Sequence, residues 1–301
     1  MQHAPSSVSC AAPLWLSVHH PDVRDLAFAI ASPPLLLGWP PDMQPMADIE
    51  WPDAAFWQQQ FDHYLPRLRQ LDQHPTALVQ HLSALKTQRL GVRFEALLSF
   101  WLQDRDYHPF ELLGQNIQQR AGTRTTGELD FVLRNHVTGA LEHWEVALKF
   151  YLGEGDYSPQ QWLGMNRRDT LGRKLNHFAS QQFLAQSFQA EPITVRRAIL
   201  KGRLFWPSGQ PDPLHVMGSW LNPHHLKGQW SDPIPQDNGH DLAGTWRRAS
   251  RAEWITPRDA LPPPTPLFWG DGLYFYTSIH GEVWVQHVCR LRNPKPPFRP
   301  F

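Results

Sequence analysis

Cysteine is almost missing from this chain: Cys10 and Cys289 are the two in 301 residues. Two thiols cannot build a disulfide framework or a cysteine-based zinc site, and such usage fits a reducing compartment. Basic residues are missing from the start, where none precedes Arg24, so no signal-peptide n-region is seen. Long apolar runs are missing as well. The best, residues 26–39, carries Pro33 and Pro34 and is too short to cross a bilayer. Net charge is zero, with 28 basic and 28 acidic side chains, which excludes a polycationic coat for nucleic acid.

Several catalytic signatures are also absent. Gly153-Glu154-Gly155 has no third glycine, since position 158 is serine, and no phosphate loop of the Gly-Lys-Ser/Thr type occurs. His143-Trp144-Glu145 opens like a deaminase signature, but no Cys-x-x-Cys follows. The 16 histidines form no His-Glu-x-x-His, and there is no Gly-x-Ser-x-Gly elbow. The reading to this point is a soluble, cytoplasmic protein with no membrane partner.

What is present is enough apolar material, 41%, for a sizeable core, and a length that suits two modest domains or one elaborated one. Charge is unevenly placed. Residues 1–66 hold one base, Arg24, against seven acids, whereas residues 167–203 hold eight bases against Asp169 and Glu191. Phosphate contacts are local, so a block of that sign is what a polyanion-binding face needs; a solvated surface is the ordinary alternative. Proline divides the chain further: residues 207–301 hold 15 of the 29 prolines and 6 of the 14 tryptophans. Residues 262–264 and 294–300 read as extended connectors. Three regions follow: an acidic N-terminal region (1–75) packing on the core, a regular core (76–206), and a Trp/Pro-rich C-terminal region (207–301).

Within the core, Leu78, Leu82 and Leu85, then Leu90, Phe94, Leu98, Trp101 and Leu102, recur at helical spacing, with Gly91 as a break or close contact. Glu95 lies beside this stripe, at its rim. Residues 110–119 read as a strand. Residues 128–133 read as a second, with Leu129, Phe131 and Leu133 on one face and Glu128 and Asp130 on the other. Residues 143–152 alternate cleanly: Trp144, Val146, Leu148 and Phe150 face one way, Glu145, Ala147, Lys149 and Tyr151 the other. Asp169 or Thr170 caps a second helix with Leu171, Leu175, Phe178 and Gln182 on one stripe. Residues 193–206 close the pattern as a strand carrying Arg196, Arg197, Lys201 and Arg203. The order is αβββαβ, an α/β (α+β) class with a central mixed sheet flanked by helices.

If the two inner strands pair, Asp130 and Glu145 converge and Glu95 approaches from the first helix. Hard oxygen ligands of this kind suit Mg²⁺ or Mn²⁺. This order, with Glu95, Gly127-Glu128-Leu129-Asp130 and Glu145 to Lys149, resembles the PD-(D/E)XK superfamily of restriction-endonuclease-like nucleases over residues 78–206. The wording of Pro13-Leu14-Trp15, residues 127–131 and residues 144–152 resembles a bacterial family known as domain of unknown function 1853, over most of the chain. The superfamily resemblance implies metal binding by Asp130 and Glu145, water assistance by Lys149 and a contribution from Glu95. It also implies that Gln181 or Gln182 takes a polar position near the site. One departure stands out. The usual acid-x-lysine spacing is two residues, about 6.6 Å along a strand, but Glu145 and Lys149 lie four apart, about 13 Å. Either Glu145 has shifted from the position of Ala147, or Ala147 holds the lysine position and Lys149 or Lys174 substitutes. A bulge at Ala147 would shorten the path.

The expected function is therefore a Mg²⁺- or Mn²⁺-dependent nuclease. Arg173, Lys174, Arg196, Arg197 and Lys201 are expected to form one positive surface for nucleic acid, DNA before RNA, while the sequence sets no oligomeric state. Two alternatives stand beside it: a nuclease-like fold without catalysis that binds nucleic acid or a protein, and a carbohydrate-active hydrolase whose paired acids lie in a Trp-rich cleft.

Overall fold

The computed structural model describes residues 13–121, 124–166, 168–213, 218–232, 245–258, 271–277 and 285–289. The proline connectors at 262–264 and 294–300, Arg167 and Cys10 lie outside the described residues. Two helices precede the core: α1 (Pro21–Ala31), whose N-terminal amide at Asp22 is met by His20 Nδ1, and α2 (Ala54–Gln73), capped by the Asp53 carboxylate. The leucine stripe that opens at Thr76 forms two helices, α3 (Thr76–Ser83) and α4 (Leu90–Gln103). The break falls at residues 84–89, ahead of Gly91, which sits inside α4.

Strands β1 (Phe110–Ala121), β2 (Arg124–Asn135) and β3 (Leu141–Gly153) follow, then short β4 (Trp162–Gly164) and helix α5 (Leu171–His177). Thr170 caps α5 by accepting the Arg173 N–H, and the helix widens into a π turn over Phe178–Gln182. A small hairpin, β5 (Ser187–Phe188) and β6 (Glu191–Pro192), leads to β7 (Val195–Pro207). Strands β8 (Leu226–Ser231), β9 (Thr245–Arg248), β10 (Gly272–Thr277) and β11 (Val285–Cys289) complete the set.

Among the described residues nine strands make one mixed sheet in the order β1-β2-β3-β7-β8-β11-β10-β9, with β4 added to β3. The first three pair antiparallel; β3–β7, β7–β8 and β8–β11 pair parallel. The expected αβββαβ order is thus observed as α4-β1-β2-β3-α5-β7. Trp144, Val146, Leu148, Phe150, Ile199 and Phe205 face a core shared with α1, α2, α3 and α4. On the reverse face Ala147, Tyr151, Ala198, Leu200 and Leu204 meet Leu171, Leu175 and Phe178 of the α5 segment, and Leu35, Leu36 and Ile49. Leu129 departs from expectation: where β2 has left β3 it groups with Val132, Leu141 and Ile193, not with Phe131 and Leu133. No helix among the described residues is long and apolar enough to cross a membrane.

Lys201 requires a correction. The two-residue strand period puts it on the α1–α2 side, wholly buried. Its Nζ donates to Ala29 O (2.9 Å) and Ile30 O (2.6 Å) and lies 3.5 Å from the centre of the Trp57 ring. Burial holds Lys201 well below the ordinary lysine range, and its amino group serves the carbonyls of the last turn of α1, so it is not available to nucleic acid.

A second buried ion group ties α1 to α4 and the C-terminal segment. Asp25 Oδ2 accepts from Arg93 Nη2 (2.7 Å) and Arg258 Nη2 (2.8 Å). Removing one member of such a group leaves uncompensated charge in the core, which costs about 3–5 kcal/mol. Asp25→Asn is expected to lose stability on that scale in urea unfolding; a loss under about 1 kcal/mol would show that both guanidiniums stay solvated.

Candidate functional site: a carboxylate–lysine cluster

Strands β2 and β3 pair at only four positions, ending at Phe131–Trp144. Beyond that point the Val146 N–H donates to Asp130 Oδ2 (2.8 Å). The side chain thus takes an amide that the ladder would otherwise use, and the two strands open around it. Glu145 lies next along β3, wholly buried. Its Oε1 is 2.7 Å from His143 Nε2, with one proton between them, and its Oε2 accepts from Gln182 Nε2.

Gln182 also accepts, through Oε1, from Lys174 Nζ at 2.9 Å. The amide therefore bridges a helix ammonium and a strand carboxylate. Lys174 is placed by its own helix: Leu171, Leu175 and Phe178 bury toward the sheet, and Nζ lies 3.9 Å from the centre of the Phe178 ring. The π turn brings Gln182 back over Glu145, as such widened turns do at many functional sites.

Electrostatics follow from burial. Desolvation raises Asp130 to about 7, reinforced by the Glu145 charge and opposed by the Val146 N–H. Glu145 is raised to about 8 by burial, opposed by Lys174. Lys174 is lowered to about 8 by burial, against the attraction of Glu145 and Asp130. Glu95, half-buried on α4, rises to about 7 through burial and then the charges of Asp130 and Glu128. His143 is lowered to about 4, again by burial, so its ring is neutral at physiological pH.

The structure brings Asp130, Glu145 and Lys174 together, with Glu95 within electrostatic range of Asp130. Lys149 stays apart: Nζ pairs with Asp169 Oδ2 at 2.6 Å. A bulge at Ala147, one of the two ways around the long spacing, is not observed, since β3 and β7 run in unbroken register from Glu142–Val195 to Leu152–Phe205. Gly202 protects that register, with φ +136° and a hypothetical Cβ only 1.7 Å from Lys149 O. Among the described residues no group of three or more His, Cys, Asp or Glu forms a ready metal cage.

The single positive surface is not assembled. Arg173 is exposed and Lys174 belongs to the cluster. Arg196 holds the Phe183, Ala185 and Ile193 carbonyls. Arg197, on the opposite face of β7, pairs with Glu142 (2.7 Å) and Glu50 (3.0 Å). Consecutive strand residues point to opposite faces, so one charge block is split by the sheet. Two cavities meet at Asp169. One, about 450 Å³, is lined by Arg173, Lys174, His177 and Gln181; the other, about 600 Å³, by Lys149, Asn166, Arg248 and Arg251.

Sequence reading missed His143 as a partner of Glu145 and Asp169 as the partner of Lys149. The first was open to discovery, because residues two apart on a strand share a face; the second spans a loop and carried no signal.

The family model described as Domain of unknown function (DUF1853) matches residues 24–265. No curated protein and no solved structure matches the chain.

The raised carboxyls have a measurable consequence. Free Asp and Glu titrate near 3.8 and 4.5, whereas the folded protein holds these protons to about 7 and 8. Their stabilising contribution is full below about pH 4 and is lost as pH rises through 7 to 8. His143 acts in the opposite sense between about 4 and 6.5, and Lys174 above about 8. Glu95, raised to about 7, adds to the carboxyl effect, so the three carboxyls outweigh His143 and a net decline is expected from about pH 4.5 to 8, steepest just above 6.5 where His143 no longer opposes it. Thermal unfolding should show a Tm that falls by several degrees over that interval, at about 2–4 °C per kcal/mol, with a flatter profile for Glu145→Gln. An identical slope in the variant would place the protons elsewhere.

Proposed function

We propose that this chain, which belongs to the family described as Domain of unknown function (DUF1853), is a divalent-metal-dependent nuclease acting on DNA, on a restriction-endonuclease-like core. The observation that carries this reading is the meeting of Asp130 and Glu145 with Lys174 where β2 and β3 part. The αβββαβ order and the antiparallel-then-parallel sheet agree with the resemblance.

The donor set suits the metal. Two carboxylates, with Glu95 in electrostatic reach, offer hard oxygens while leaving coordination positions for water and phosphate, as Mg²⁺ prefers. Both carboxyls hold protons near neutral pH, and those are the protons a cation would displace. Once bound by Asp130 and Glu145, Mg²⁺ or Mn²⁺ would supply charge neutralisation and water acidification.

The chain supplies the rest. Lys174, lowered to about 8, presents an ammonium able to hold or give a proton near neutral pH. Gln182 fixes the distance between that ammonium and Glu145, and His143 fixes the other oxygen of Glu145. Lys174, not Lys149, is the assisting lysine in this reading, because Lys149 is neutralised by Asp169. Exposed Arg173 at one cavity mouth and exposed Arg251 at the other offer phosphate contacts along the substrate.

Glu145's complete burial favours a second reading, a closed cluster in a module that binds DNA without cutting. A Mn²⁺-dependent cleavage assay on linear and circular DNA separates the two. Asp130→Ala and Lys174→Met should each lower the rate about a hundredfold or more, while Lys149→Met stays within a few-fold of wild type. Salt-sensitive binding without cleavage would select the second reading, and loss of neither cleavage nor binding in Asp130→Ala would overturn the site.

A further inference from the structure

Strand β7 carries three cations on the face turned toward α1, α2 and α4: Arg197, Lys201 and Arg203. Two are satisfied by this chain. Arg197 meets Glu142 and Glu50, and Lys201 meets two α1 carbonyls and the Trp57 ring. Arg203 is different. It is only 6% exposed, and among the described residues its Nη1 has no hydrogen-bond acceptor. Burial alone acts on its ionisation, lowering it to about 10, with no acid contributing. A buried, uncompensated guanidinium is expensive and keeps its affinity for an anion.

Arg203 does not face solid protein. It lines a cavity of about 480 Å³ together with Trp15, Leu16, Trp206, Leu226 and Pro257. That volume is within the range of small-molecule sites, as is a largely apolar wall with few polar groups. Trp206 borders the cavity, but its side chain packs with the core on the other side of the sheet. Lys227, also on the wall, is held by Asp212 at 2.9 Å, whereas Arg203 Nη1 has no acceptor among the described residues. The cavity lies beside a β7 residue two along from Lys201, on the sheet face opposite Glu145, so it is separate from the carboxylate cluster.

We infer that this cavity is a binding site for a small organic oxyanion, a carboxylate or phosphate monoester on a flat apolar body, held through the Arg203 guanidinium. The planar fork matches the paired oxygens of either anion, and the tryptophan and leucine side chains suit the body.

Benzoate and phenyl phosphate are the probes that distinguish the two anions, with inorganic phosphate testing whether the apolar body is needed. The expected result is a saturable rise in Tm of the full chain with benzoate, phenyl phosphate or both, and a larger one than with inorganic phosphate. The ¹⁵N–¹H signal of the Trp15 indole, assigned by its loss in Trp15→Phe, should move over the same concentrations. Arg203→Met should weaken binding at least about tenfold, whereas Asp130→Asn should leave it unchanged, which keeps this site apart from the proposed metal centre. If Arg203→Met fails to fold, the wild-type indole titration decides. A flat titration with both probes, or an equal response in Arg203→Met, would overturn the inference.

Discussion

A strand buried on both faces cannot leave an ionisable side chain to water, and β3 carries Glu142, His143 and Glu145 wholly buried. Each must find its partners within the protein or remain uncharged. Glu142 is met fully: Asn135 Nδ2 at 2.9 Å, Trp144 Nε1 at 2.7 Å and the Arg197 guanidinium at 2.7 Å. Glu145, three residues on and facing the other way, shares one proton with His143, accepts from the neutral Gln182 amide, and is hydrogen-bonded to an ammonium only through that amide. Two glutamates on one strand thus differ in kind. The first is neutralised in place and holds the fold; the second keeps an unmet demand for positive charge, which a proton or a cation can fill. Perturbed groups of that kind cluster at functional sites, and structural ion networks produce them as well.

The same sheet sorts the cations of β7. A block of basic residues was visible as a sum along the sequence, but a strand distributes alternate residues to opposite sides. Arg196 goes to the face of the acids and is consumed by loop carbonyls, while Arg197, Lys201 and Arg203 go to the helical face. There the α1 C-terminal carbonyls hold Lys201 and Glu142 pairs with Arg197. A count of charges in a window is therefore no measure of a surface when the window is a central strand.

The core helices α3, α4 and α5, the three antiparallel strands and the crossover to β7 were legible because apolar periodicity records which face is buried, whereas α1 and α2 were not read from the sequence. Trp144, Val146, Leu148 and Phe150 lie where alternation puts them, as do Ala147 and Tyr151. The pairing of Asp130 with β3 was likewise open to inference from two strands in sequence. What periodicity cannot carry is the end of a ladder. That β2 leaves β3 after Phe131, and sends the Asp130 carboxylate to the Val146 amide, depends on how the strands twist against β1 and the α5 segment. The break between α3 and α4 was visible but misplaced by a few residues, because Gly91 is a poor guide when nothing crowds it.

The choice between the two lysines turns on reach. On an unbroken strand Lys149 stands about 13 Å beyond Glu145, further than a side chain returns along its own backbone. A helix packed across the strands has no such restriction, since its position is set by the buried Leu171, Leu175 and Phe178 and not by strand spacing. Lys174 arrives over the cluster from above, and Gln182, eight residues later, arrives beside it because the helix has widened. The amide of Gln182 then makes the two elements interdependent: it donates to the strand carboxylate and accepts from the helix ammonium at once. The Lys174–Gln182 bond travels with the α5 segment, while the Gln182–Glu145 bond crosses to β3, so the packing that places α5 on the sheet also sets the distance between carboxylate and ammonium on which the candidate site depends.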